Sequence, residues 1–115
     1  MEIETIGKKR LEYLDLANKA YATNQIDIMI KYIEAFQYTL KDESVWAKDL
    51  TKRFTDAQTK FTNTINQTHA ETQTLPLEKQ EEARYTGRIS AIIEMWKDRL
   101  NSCWQISITN NLFAD

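Results

Sequence analysis

Residues 46–104, WAKDLTKRFTDAQTKFTNTINQTHAETQTLPLEKQEEARYTGRISAIIEMWKDRLNSCW, decide the fold. In the first half Trp46, Leu50, Phe54, Ala57, Phe61 and Ile65 recur every three or four positions. In the second half Tyr85, Ile89, Ile92, Trp96, Leu100 and Cys103 do the same. Such spacing marks one face of an α-helix, which turns once in 3.6 residues. Between the halves stands Thr72-Gln73-Thr74-Leu75-Pro76, with the only proline of the chain. Proline pushes its predecessor out of the helical region and suits the first turn of a new helix. The spacing therefore predicts helices over about 44–71 and 76–105, with Glu78, Glu81 and Glu82 near the positive end of the second. At 1.5 Å per residue each would be about 40–45 Å long.

Upstream, Ile26, Met29, Ile33, Phe36 and Leu40 predict a helix over about 25–41. Ile28, Ile30 and Tyr32 add apolar surface outside that stripe. A helix apolar around most of its girth is buried on several sides or shared with a partner. Asn24 is the expected N-cap, supported by Asp27; Asp42 or Ser44 would cap the next helix. A first helix over about 4–22 carries Leu11, Leu14, Ala17 and Tyr21, flanked by Tyr13, Leu16 and Ala20. Downstream of Gln105 the Ile-Ser-Ile-Thr alternation reads as a tail, 106–115, in which Leu112 and Phe113 dock or fray.

Together these elements predict an all-α fold in a single domain, 1–115: a four-helix up-down-up-down bundle with a longer second hairpin. Trp46, Phe54, Trp96 and Trp104 would be its core anchors. The first two helices reach only about 25–30 Å. The tip of the second hairpin, around 62–82, should therefore project as a mostly polar two-helix arm.

The chain has 115 residues, 15 Lys+Arg against 17 Asp+Glu, a net charge of −2, and apolar residues at 42%. One domain with one core fits this length. The acidic balance argues against generic attraction to nucleic acid or acidic lipid. No run approaches the roughly 20 apolar residues of a membrane span, and the acidic N-terminus does not read as a secretory signal. A cytoplasmic location, with no membrane partner, is the expectation.

Chemistry is sparse. His69 and Cys103 are the only side chains of their kinds. A nucleophilic cysteine needs a base and an electropositive site, whereas Cys103 continues the apolar stripe of Trp96 and Leu100. His69-Ala70-Glu71 matches half of a zinc deaminase signature, without the Pro-Cys-x-x-Cys half that completes it. Asp15, Asp27, Glu34 and Glu94 fall at polar positions, and the isolated Gly7 and Gly87 form no phosphate-cradling loop. The chain is expected to be no enzyme, with no cofactor, metal or small-molecule substrate.

What remains is protein–protein interaction, either with copies of itself or as a small adaptor or inhibitor on a larger protein. Thr51, Thr55, Thr59 and Thr62 form a stripe beside the apolar face of the third helix, an uncharged surface that can pack without burying ions. Ile28 and Tyr32 on the second helix and Leu112 with Phe113 in the tail complete the candidate partner-binding set. Small helical chains of this kind are common among viral and mobile-element accessory proteins. The alternative is nucleic-acid binding through Lys48 with Lys52 and Arg84 with Arg88, each pair spaced to share a helix face. Asp49, Asp56, Glu81 and Glu82 interrupt that basic field.

Overall fold

A computed structural model describes residues 5–40 and 44–114. Four helices follow in order: α1 (Ile6–Ala22), α2 (Ile26–Thr39), α3 (Val45–Thr72) and α4 (Leu77–Asn110). The fold is all-α, with no strand among the described residues. Local chemistry places most boundaries. The Thr5 hydroxyl accepts from the Lys8 amide at 3.3 Å and the Ser44 hydroxyl from the Ala47 amide at 3.1 Å, capping α1 and α3. Asp42, the other expected cap for α3, lies outside the described residues. Pro76, at φ −54° and ψ 145°, immediately precedes α4.

Two expectations are corrected. Asn24 is not the N-cap of α2: it sits at φ 62°, in the left-handed region that asparagine tolerates, and reverses the chain between α1 and α2. Gln25 takes the cap position, with no side-chain cap bond to α2 among the described residues. In addition, α4 continues to Asn110, five residues beyond the expected end. The Ile-Ser-Ile-Thr alternation is misleading because Ile106 and its neighbour Ser107 are both buried while Ile108 is exposed. Those adjacent residues widen the helical face of Leu100 and Cys103 toward the core. Asn111, at φ 56°, ends the helix, and the Leu112 amide returns to the Ser107 carbonyl at 2.9 Å.

Helix pairs run antiparallel. Gln58 meets Arg99, Lys60 meets Asp98, and Thr72 meets Arg84 between α3 and α4. Arg10 meets Thr39 between α1 and α2. Trp104 donates to Asn18, and Lys97 lies over the Tyr21 ring, between α4 and α1. The core lies at one end, where Leu14, Ala17, Met29, Ile33, Phe36, Leu50, Leu100, Cys103 and Ile106 are buried together. Tryptophans are rarely wholly buried, being large. Here Trp96 and Trp104 pack on the rim of the core, and Trp46 is more exposed still, so the expected anchors give way to Phe36, Leu14 and Met29.

The molecule is elongated, 62 × 28 × 19 Å. Its long dimension comes from α3 and α4, whose 28 and 34 residues span about 42 and 51 Å against about 25 and 21 Å for α1 and α2. No core residue falls between Leu50 and Leu100, so the arm begins nearer Ala57 than the expected Thr62.

Candidate functional site

Small residues let the arm helices approach. A Cβ on Gly87 would stand 2.5 Å from the Thr68 methyl carbon, and Ala57 and Ala91 are buried along the same seam. The hairpin has two unlike sides. One is braced by ions: Lys60 Nζ lies 3.3 Å from Glu94 and 3.4 Å from Asp98, which together raise the lysine pKa. Arg53, nearer the core, reaches Asp49 at 3.4 Å and Gln105 at 2.8 Å.

The other side is apolar. On α4, Tyr85, Ile89, Ile92, Trp96 and Arg99 follow a 4-3-4-3 spacing; on α3, Thr51, Thr55, Gln58, Thr62 and Ile65 do the same. Arg99 and Gln58 join the two stripes through a 3.3 Å hydrogen bond. Tyr85 is 68% exposed and Ile89 41%, with Ile92 and Ile65 half-buried. Neither α1 nor α2 reaches far enough to cover them. The guanidinium of Arg99 lies 4.5 Å from the centre of the Trp96 ring and 5.1 Å from that of Phe54. Burial there lowers its pKa, and its Nε has no acceptor among the described residues.

At the base of the arm this side opens into a groove between α2 and the long hairpin, lined by Glu34, Gln37, Tyr38, Phe54, Trp96 and Arg99. Tyr38, 80% exposed, forms its outer wall. At the tip, Leu77 is also exposed, beside a concavity lined by Glu78, Glu81, Glu82, Arg84, Tyr85 and Arg88.

The four threonines are all exposed, and Thr51, Thr55 and Thr62 border the apolar side through the Gln58 stripe. The hydroxyls of Thr55 and Thr59 donate to the carbonyls of Thr51 and Thr55, at 3.0 and 3.1 Å. Those two hydroxyls thus spend their donors within the helix. Ile28 is exposed on α2, while Tyr32 is half-buried against the Tyr13 ring, 6.3 Å between centroids. Those two residues lie outside the arm.

Leu112 and Phe113 do not form a free docking tail. Leu112 is 2% exposed, and the Phe113 ring packs edge-on against Trp104 at 5.6 Å. Arg10 holds the turn: Nη1 donates to the Leu112 carbonyl at 3.2 Å, while Nε and Nη2 donate to the Thr39 hydroxyl and carbonyl. Sequence reasoning missed this role of Arg10. A polar residue one position before the Leu11 stripe gives no sign of burial, yet Leu11 is the exposed one of the two.

The basic pairs stand apart. Lys48 and Lys52 are exposed at the base of α3. Arg84 is bound to Thr72 at 3.1 Å near the tip, with Arg88 one turn away. From Lys52 to Thr72 the rise along α3 is about 30 Å.

Cys103 is buried, and desolvation pushes its thiol pKa up, away from the reactive thiolate. His69 is exposed, its ring nitrogen 3.4 Å from the Gln73 amide nitrogen. Among the described residues no three His, Cys, Asp or Glu side chains gather at metal-binding distance, and no helix is long and apolar enough to cross a membrane. No protein-family model, curated protein or solved structure matches the chain.

Proposed function

We propose that this protein is a non-catalytic protein–protein interaction module, an accessory protein whose working surface is the apolar side of the α3–α4 arm. The observation that carries this function is the unfinished layering of the arm. Helical domains bury each apolar stripe against another element. Here the α4 stripe passes from covered residues at Leu100 and Cys103 to exposed ones at Ile89 and Tyr85. A third layer supplied by another chain completes the packing, and the neutral Thr51, Thr55 and Thr62 border it without ions to desolvate.

The antiparallel helix pairs support an up-down-up-down course of the chain, which sets α3 and α4 side by side and lets their excess length project together. A cytoplasmic setting agrees with a single buried thiol that needs no oxidising partner. Nucleic-acid binding has weaker support, since Lys48 and Lys52 stand at the opposite end of the arm from Arg84 and Arg88, with acidic residues between. Steeply salt-dependent binding would be expected of that alternative.

The test compares the intact chain with a Tyr85→Lys plus Ile89→Lys variant, both of exposed residues. Folding should be unchanged by circular dichroism, while self-association and capture of partners from the source cell should both fall. If neither changes, the arm is not the interaction surface.

A further inference from the structure

Resting on that interaction surface, we infer that the arm is completed by a second copy of this chain, laid antiparallel so that Glu82 near the tip of each arm reaches Arg99 at the base of the other. The α4 stripe is symmetric about a point between residues 90 and 91. Reversing its direction pairs Ile89 with Ile92, Tyr85 with Trp96 and Glu82 with Arg99, since each pair of numbers sums to the same total. Two α4 helices related by a two-fold axis at that point bring apolar residues together at the centre. The same axis places opposite charges at both ends, about 13 Å from it at 1.5 Å per residue.

The charges suit this arrangement. Among the described residues no hydrogen bond or ion pair holds Glu78, Glu81 or Glu82, all exposed at the tip. Arg99 Nε is buried and has no acceptor among the described residues, so an incoming carboxylate meets the Nη edge of a guanidinium made partly dry by Phe54 and Trp96. A carboxylate brought beside it gains a charge-assisted bond of the stronger kind. On the wall of the groove Glu34 opposes the incoming acid, and Lys31 stands one turn earlier on α2. Ordinary antiparallel packing crosses at about 20°. That angle lets the partner's tip leave α4 and enter the groove beside α2 rather than meet the α1–α2 hairpin. The face from Leu77 to Arg99 is about 33 Å long and two helices wide, a footprint of roughly 700 Å². Stable interfaces bury about 800 Å² per partner.

Light scattering coupled to size exclusion, over a dilution series, reads the assembly directly. The expected mass is twice 13.5 kDa at high concentration. Glu82→Arg, an exposed change, should weaken association about tenfold, and adding Arg99→Glu should recover most of it. Circular dichroism keeps a misfolded Arg99→Glu chain from counting, and the Glu82→Arg result stands without it. A spin label on Lys79→Cys, on the outer face of α4, reads direction while buried Cys103 stays unlabelled. The antiparallel register sets two such labels about 35 Å apart, whereas parallel arms bring them within about 20 Å. A chain of 13.5 kDa at every concentration overturns the inference, as does a dimer indifferent to Glu82→Arg or with labels close together. If the monomer still captures a protein that the Tyr85→Lys plus Ile89→Lys variant loses, the second copy fails and the interaction surface stands. If it captures none, both fail.

Discussion

Arg10 Nη1 donates to the carbonyl oxygen of Leu112 at 3.2 Å across a sequence separation of 102 residues, tying the start of α1 to the end of the chain. The same guanidinium holds Thr39 at the end of α2, and the Thr39 hydroxyl donates a hydrogen bond to the Phe36 carbonyl at 2.6 Å. One buried side chain thus closes three helix ends. Arg10→Met keeps the apolar stem and leaves the Leu112 and Thr39 carbonyls without their donor. It should destabilise the fold by about 2–3 kcal/mol, the scale of orphaned buried polar groups. Urea unfolding measures the loss, and faster trimming by carboxypeptidase reports release of the Leu112–Phe113 turn.

Gly7 controls the same junction from the other side. A Cβ there would lie 2.5 Å from the Phe113 carbonyl oxygen, which belongs to the backbone and cannot rotate away. Alanine raises helix propensity by about 1 kcal/mol, yet overpacking against backbone costs about 1–3 kcal/mol. Gly7→Ala should therefore lower the unfolding midpoint. A rise would show that the tail is not held against α1.

Gly87 differs because the atom its Cβ would meet is a side-chain methyl, Thr68 Cγ2, at 2.5 Å. Gly87→Ala alone should loosen the arm, speeding amide exchange around 62–92. Combined with Thr68→Ser, which removes that methyl, it should leave the chain more stable than the original by up to about 1 kcal/mol through helix propensity. Thermal melts of the single and double variants decide the point.

Ser107 is wholly buried, and its hydroxyl has no partner among the described residues. Ser107→Ala removes an unsatisfied polar atom and improves helix propensity, so a gain of about 1 kcal/mol is expected. A loss of that size in urea unfolding would mean that the hydroxyl is satisfied in solution.

Cys103 lies in the core with its thiol pKa raised by desolvation, so the thiolate is scarce at neutral pH. Native protein should react with iodoacetamide far more slowly than protein in urea, and the difference should persist as the pH is raised to 9. Rapid native reaction at pH 8 would place the thiol at the surface.

Four helices, their stripes and the break at Pro76 were legible in residue order because each depends on neighbours within one or two turns. Apolar spacing reports which face of a helix is buried, and Ser44 and Pro76 carry their boundary chemistry in their own side chains. The stripes of Tyr85, Ile89, Ile92 and Trp96 and of Thr51, Thr55, Thr59 and Thr62 were visible too, as was an arm made from unequal helix lengths. Only the tertiary structure decided that these two stripes share a side, because Arg99 and Gln58 meet across the seam from positions 41 apart. It also decided that Arg10 is buried while Leu11 is exposed, and that Leu112 belongs to the core. Contacts between distant segments leave no local period: burial of an arginine depends on carbonyls that other helices bring to it. Periodicity determines what a helix must hide, and packing determines what hides it.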